Sequence, residues 1–199
     1  MRPVPILHTA RFTLRALRRS DAAALLPTLG DEAQCRFLTR PAFATEDELW
    51  GWLADPAWNG RSWIAEDAAG DIAARVVAVP AHEAGVEEVG YITAHHRQGQ
   101  GVARECTAAL VRHLFHTERA RKLTAEVDAA NTPSIRLLEA LGFTREALFR
   151  QHETTHIGLR DVAVYGKLRS QDAQSPTSSS PASSSQPSSS SSGSPSTGS

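Results

Sequence analysis

The chain has 199 residues, a formal net charge of −1 and only Cys35 and Cys106 as thiols. Near-neutral charge gives no global pull toward nucleic acid or an anionic membrane, and two distant cysteines make no disulfide framework. The N-terminus lacks the apolar stretch of a signal peptide and no apolar run approaches the ~18 residues that span a bilayer, so a soluble cytoplasmic protein is expected.

Phe12 to Leu17 alternates apolar and polar residues and predicts a strand. Ser20-Asp21 is positioned to cap an Ala/Leu-rich helix that Pro27 should break or kink. Thr45-Glu-Asp-Glu48 reads as a capping box, with Leu49, Trp52 and Leu53 as the apolar stripe behind it and Asp55-Pro56 as the stop. Ser62–Glu66 and Ile72–Val79 are predicted to form a hairpin around Ala-Ala-Gly-Asp. Glu87–Ala94 is a further strand. A helix follows from Gly101 to about His116, with Val102, Cys106, Ala109, Leu110, His113 and Leu114 on one face. Lys122–Asp128 returns to strand alternation. Asn131 caps a helix carrying Ile135, Leu138 and Leu141, and Gly142 falls where a terminating glycine belongs. Thr144–Glu153 and Asp161–Leu168 complete the strands.

From residue 170 the sequence is dominated by Ser, Pro, Thr, Gly and Gln. Such a segment has too little apolar surface to offset its ordering entropy, so residues 170–199 are expected to be a disordered tail behind one domain, 1–169. The element order is that of a mixed α+β sheet of about seven strands flanked by helices, and it is not a run of regular βαβ units.

The densest signal is Val89-Gly-Tyr-Ile-Thr-Ala-His-His-Arg-Gln-Gly-Gln-Gly-Val-Ala-Arg104. A strand feeds a glycine turn that opens a helix, where free N–H groups and the positive end of the helix dipole converge on an anion. A P-loop needs Gly-Lys followed by Ser or Thr, and no Lys is present. A dinucleotide fingerprint needs a small residue where Arg104 stands. A glycine loop without a ligand is the remaining alternative.

Gln98-x-x-Gly101-x-Ala103 resembles the pyrophosphate motif of the Gcn5-related N-acetyltransferases (GNAT). Gly90-Tyr91, Gly99-Gln-Gly101-Val-Ala103, Asn131-Thr-Pro-Ser134-Ile-Arg-Leu-Leu-Glu-Ala-Leu-Gly142-Phe143 and Gly158-Leu-Arg160-Asp161 resemble the RimJ/RimL-type branch. The chain departs from the family at His95, where Pro is frequent, at Ile92 and Gln98, where aromatics are frequent, and around Ala73–Arg75, where a strand glycine is usual.

The resemblance implies a twisted sheet splayed at the cofactor site, acetyl-CoA as co-substrate without a metal, and transfer to a primary amine in a ternary complex. The acceptor is a protein N-terminal α-amine or a small molecule, and homodimers are frequent in the branch. An acyl-CoA-binding module without efficient catalysis is the alternative.

The resemblance places the pyrophosphate on Gln98, Gly99, Gln100, Gly101, Val102 and Ala103, the pantetheine arm along Thr93, Ala94 and His95, and Asn131 at the thioester end, where it also explains a helix cap. Glu88 is either the general base or one half of a solvated acidic pair with Glu87; Gly90 faces the same way and leaves room for substrate. Glu126 and Asp128 are back-ups for the base. Many relatives carry a Tyr acid where Leu138 stands here, so Ser134 is the candidate donor to the leaving sulfur, against a helix-start serine bonding its own backbone. Cys106 reads as core. The eight histidines show no zinc spacing, and His95-His96 reads as exposed loop. Trp50, Trp52, Trp58 and Trp63 are core or line an acceptor groove.

Overall fold

The computed structural model describes residues 3–172. In chain order these form β1 (Leu7–His8), β2 (Thr13–Ala16), α1 (Asp21–Leu29), α2 (Glu32–Cys35), α3 (Glu46–Leu53), β3 (Arg61–Glu66), β4 (Ile72–Pro80), β5 (Val86–Thr93), α4 (Val102–Arg112), β6 (Lys122–Asp128), α5 (Thr132–Ala140), β7 (Thr144–Thr155), β8 (Gly158–Leu168) and a terminal turn α6 (Arg169–Asp172). A short 3₁₀ turn, His95–Arg97, follows β5, and a π turn, His113–Thr117, ends α4. The predicted tail lies outside the described residues from 173 onward; its first residues, Ser170 to Asp172, continue α6, where Asp172 pairs with Lys167 at 2.6 Å.

One eight-stranded sheet has the order β1-β2-β3-β4-β5-β6-β8-β7. All neighbours are antiparallel except β5 and β6, which run parallel. Their pairing covers only Val86↔Lys122, Glu87↔Leu123 and Glu88↔Thr124. Beyond it β5 stays bonded to β4 as far as Thr93, and β6 stays bonded to β8 as far as Asp128. The sheet therefore opens between Val89–Thr93 and Ala125–Asp128.

Strand alternation divides the core between the two faces. Leu14, Trp63, Ala65, Val76, Val89, Leu123 and Val127 pack with α4 residues Val102, Cys106, Leu110 and Leu114, and with Leu138 of α5. On the other face Ile64 and Ile72 pack with Leu25 and Leu29 of α1 and Leu49 and Leu53 of α3.

Local chemistry refines several expectations. α1 runs through Pro27 without breaking. Pro27 and Ala23, whose carbonyl loses its partner, are both exposed, and the helix ends shortly after at Gly30. Ser20 makes no side-chain cap. Instead the buried Asp21 accepts from the Arg18 N–H at 2.7 Å and takes both arms of the buried Arg15 guanidinium at 2.8 and 2.9 Å. Thr45 caps α3 as predicted, accepting from the Glu48 N–H, whereas the Glu48 carboxylate reaches back to Ala44. At the end of α5, Phe143 N–H bonds Leu138 O and Gly142 N–H bonds Glu139 O, with Gly142 at φ +81°, which is a Schellman stop.

Asp21→Ala leaves the Arg15 guanidinium buried beside only one carboxylate, Glu66. Removing one partner of such a pair should lower unfolding stability by about 3 kcal/mol. Asp47→Ala, in the exposed Arg19–Asp47 pair, should leave the urea midpoint almost unchanged. Equal midpoints for the two variants would refute the clasp.

Candidate active site

The opening between β5 and β6 is a cleft of about 960 Å³. Its walls include Glu88 to Thr93, Ala125 to Asp128, the turn residues Gln98, Gly99 and Gly101 to Arg104, and Asn131, Ser134 and Leu138 of the α5 region. Three chemically distinct parts meet there.

The first is the glycine turn. Gly99 and Gly101 sit at φ +74° and +75°, in the left-handed region where L side chains are strained. This backbone lets the chain turn directly into α4. The N–H groups from Gly99 to Arg104 find no acceptor among the described residues. They form a donor cluster at the positive end of an eleven-residue helix. Long-range pairs hold the turn in place. Arg97 binds Asp71 at 2.7 Å and Asp67 at 2.6 Å across the β3–β4 turn. Arg11 bonds Gln100 O at 3.0 Å and Glu105 at 2.7 Å. Gln98 lies on the cleft wall, its side-chain amide donating to Gln34 Oε1 at 2.7 Å.

The second part is the free edge of β5. Ala94 N–H donates to Ala73 O, so alternation turns Ile92 and Ala94 toward β4, and Tyr91 and Thr93 toward the opening. His95 N–H donates to Thr28 Oγ1 at 2.9 Å. Of the predicted stretch Thr93–His95, only Thr93 therefore offers a free N–H to a ligand, its carbonyl taking a long 3.4 Å bond from Gln98 Nε2; the N–H groups of Ala94 and His95 are already used. Tyr91, which sequence reasoning did not assign, contributes the other free edge.

The third part is the titratable side chains. Glu87 and Glu88 point to opposite faces, so they are not a solvated pair. Glu87 is buried near Arg61, whereas Glu88 is half-buried on the cleft wall. Burial, then the nearby Glu126 charge, raises the Glu88 carboxyl above its ordinary value. Of the back-ups, Glu126 is exposed in the cleft. Asp128 is committed to a forked pair with Arg160 at 2.6 and 3.0 Å. Burial raises the Asp128 carboxyl, but the hydrogen bonds from Arg160 and Ala130 N–H outweigh that and leave it below its ordinary value, which suits a base poorly. Gly90 lies opposite Val77, whose Cγ2 would stand 3.0 Å from an added Cβ, so the crowding neighbour is β4 itself.

From the other face Tyr91 reaches α5. Its hydroxyl lies 2.6 Å from Ser134 Oγ and 3.2 Å from Ser134 O. Burial pushes the phenol up to about 12, against a smaller lowering by Ser134, so it keeps its proton at neutral pH. Asn131 Oδ1 accepts from Ser134 N–H, the expected cap, while the residue also lines the cleft. Leu138 is buried beside them.

Other residues fall outside this constellation. Cys106 is fully buried, and burial followed by the Glu105 charge pushes its thiol up to about 12, so it is core. His96 pairs with Asp71 on the surface. Trp63 is core and donates to Pro5 O, whereas Trp52 and Trp58 stack on Arg75. No group of His, Cys, Asp and Glu among the described residues is arranged to hold a metal ion.

An acetyltransferase (GNAT) domain model matches residues 11–144. The chain is similar to uncharacterized N-acetyltransferase p20 of Bacillus licheniformis, 27% identical over 84% of this chain and 98% of that protein. It is similar to the crystal structure of a putative acetyltransferase from T. thermophilus, at 29% identity and TM-score 0.74, covering 85% of this chain and 93% of the other. It also shares the fold of a spermidine N-acetyltransferase from Vibrio cholerae solved with CoA and spermine, at 21% identity and TM-score 0.72, over 83% of this chain and 99% of that one.

The left-handed turn yields a paired test. Gly101→Ala, where the new methyl would meet only Arg11 Nη2 at an ordinary 3.8 Å but where φ is +75°, should lose about 1–2 kcal/mol. Gly51→Ala, inside α3 with nothing within 4 Å of the new methyl, should gain about 0.5–1 kcal/mol. Urea unfolding of both variants checks the opposite signs.

Proposed function

The chain belongs to the GNAT acetyltransferases, and from that premise we propose that it is a RimJ/RimL-like N-acetyltransferase that uses acetyl-CoA to acetylate a primary amine in a ternary complex. The observation that carries this reading is the cleft itself, where unbonded N–H groups at the start of α4 continue into the free edge of β5. The N–H groups of Gly99 to Ala103 fit a pyrophosphate, Gly99 and Gly101 carry no Cβ that would fill the cradle, and exposed Arg104 adds charge at its mouth. The Tyr91 and Thr93 main chains fit the amide groups of a pantetheine arm as an added strand. When bound, acetyl-CoA supplies the activated acetyl group.

Glu88 then takes the proton of the acceptor ammonium, directly or through a water. Its raised pKa keeps it basic enough to do so near neutral pH. Ser134 Oγ–H donates toward the departing sulfur and is itself replenished by Tyr91 Oη–H over 2.6 Å. Asn131 fixes the Ser134 main chain through its cap. The tyrosine absent at Leu138 is replaced in this scheme by one from the sheet.

The pH dependence follows in sign. Glu88 serves as base only when ionised, so kcat/KM should fall as pH drops through its raised pKa. Glu126→Gln removes the like charge and should shift that acid limb to lower pH. Glu88→Gln should lower kcat about 100-fold while acetyl-CoA binding changes little. Ser134→Ala and Tyr91→Phe should each lower kcat more than binding. Free-thiol release with a panel of amines and N-terminal peptides reads all four. Wild-type turnover in Glu88→Gln would remove Glu88 from the mechanism. Tight acetyl-CoA binding with no turnover on any amine would favour a binding module instead.

A further inference from the structure

Arg75 lies on β4, opposite Ile92 of β5 and on the same sheet face as Val77, Glu88 and Gly90. It is 94% buried by its 6% exposure and yet lines the cleft. No Asp or Glu pairs with it among the described residues. Its guanidinium lies 5.0 Å from the Trp52 ring centroid and 5.2 Å from that of Trp58. Its Nε and Nη2 both donate to the single oxygen Ser62 Oγ, at 3.1 and 2.9 Å. A guanidinium has five N–H donors in a planar fork, so most of this one is left without a protein acceptor.

A buried cation without a carboxylate is expensive for a fold to keep. Two tryptophan faces offset part of that and fix the plane of the group. Burial lowers its pKa only to about 10, so the charge persists at neutral pH. The other buried arginines among the described residues, Arg15 and Arg61, are each matched by an acidic partner.

The rest of this face sets the complementary charge. Glu88 and Glu126 line the cleft on the side where β5 and β6 still pair. Arg75 stands two β5–β4 rungs beyond Gly90, about 7 Å along the strands, while Glu88 stands two residues before it. An acceptor lying over Gly90 thus meets negative charge at one end and a caged positive charge at the other.

We propose that Arg75, held between Trp52 and Trp58, is a carboxylate subsite, and that the acceptor is a small zwitterion, an amine that also carries a carboxylate a few bonds away. The proposal rests on the acetyltransferase reading for the amine end alone. The enclosed position of Arg75 favours a small acceptor over a protein chain, and its charge disfavours a polyamine.

The test uses the full chain with acetyl-CoA and a panel of L-amino acids, each with a free carboxylate and as its carboxamide. Spermidine and N-terminal peptides with acidic or neutral second residues complete the panel. The best acid should exceed its amide in kcat/KM by roughly 10- to 100-fold. In Arg75→Met that ratio should collapse toward one, and Arg75→Lys should restore part of it. Circular dichroism of both variants confirms folding. In parallel, quenching of tryptophan fluorescence reads binding of the same acids and amides without acetyl-CoA.

Acid-selective binding that Arg75→Met abolishes, with no turnover on any amine, supports the subsite while overturning the acetyltransferase reading. Equal turnover of acids and amides, a ratio unmoved in Arg75→Met, or absence of both binding and turnover across the small amines overturns the subsite. Preference for spermidine or for the acidic peptide overturns the small zwitterionic acceptor.

Discussion

The molecule is organised around one interruption in its hydrogen bonding. β5 and β6 pair for three residues and then each follows its other neighbour, β4 or β8. A continuous sheet would satisfy every main-chain group along that line. Here the edge of β5 is left without a strand, and it leads directly into a turn whose N–H groups are also unbonded. A ligand able to add a strand-like arm and an anionic head completes the pattern. The fold holds this exposed chain in place with rigid neighbours: Arg97 ties the turn to Asp67 and Asp71, and Arg11 ties it to Glu105.

Alternation then assigns different chemistry to the two sides of the same strand. Glu88, Gly90 and Ile92 face α1 and α3 together with Arg75, whereas Tyr91 faces α4 and α5. A carboxylate and a phenol only three residues apart are thereby kept on opposite sides of the sheet. That separation suits a reaction needing a proton removed from one partner and delivered to another. Their pKa values move for the same cause, burial, which keeps Glu88 more basic and Tyr91 protonated.

How much of this was legible in the sequence depended on whether the signal was local. The glycine turn at Gly99 and Gly101, the Asn131 cap and the Gly142 stop are properties of a few consecutive residues, and the sequence pattern located each of them. The seven longer strands were also readable, two of them from alternation and the others from runs of strand-forming residues between turn signals. β1 and α2, with two and four residues, are too short to carry a period. Pro27 does not break the helix: the residue whose carbonyl it leaves without a partner, Ala23, is exposed, so water can take the place of the lost hydrogen bond. The tethers and the side-chain couples were invisible for a different reason. Tyr91 and Ser134 are 43 residues apart, and Arg97 and Asp71 are 26 apart. Nothing in either neighbourhood announces the other. Arg75 gave a weak hint, since a charged residue interrupts the apolar run Ile72–Val79, but its tryptophan cage comes from outside β4.

The leucine at position 138 shows how a missing group is balanced within the fold. A buried Leu138 packs the core where a phenol on α5 would need a polar partner of its own. With leucine there, the phenol that meets the start of α5 comes from β5 and bonds its first turn at Ser134. A hydroxyl pair formed this way joins the free strand edge to the capped helix, so one contact both links the two hydroxyls and ties the two walls of the opening together. Altering Tyr91 or Ser134 therefore changes geometry as well as chemistry. That coupling is why binding of acetyl-CoA must be measured beside turnover for either residue, whereas Glu88 makes no hydrogen bond to the helix and its substitution changes charge without loosening that tie.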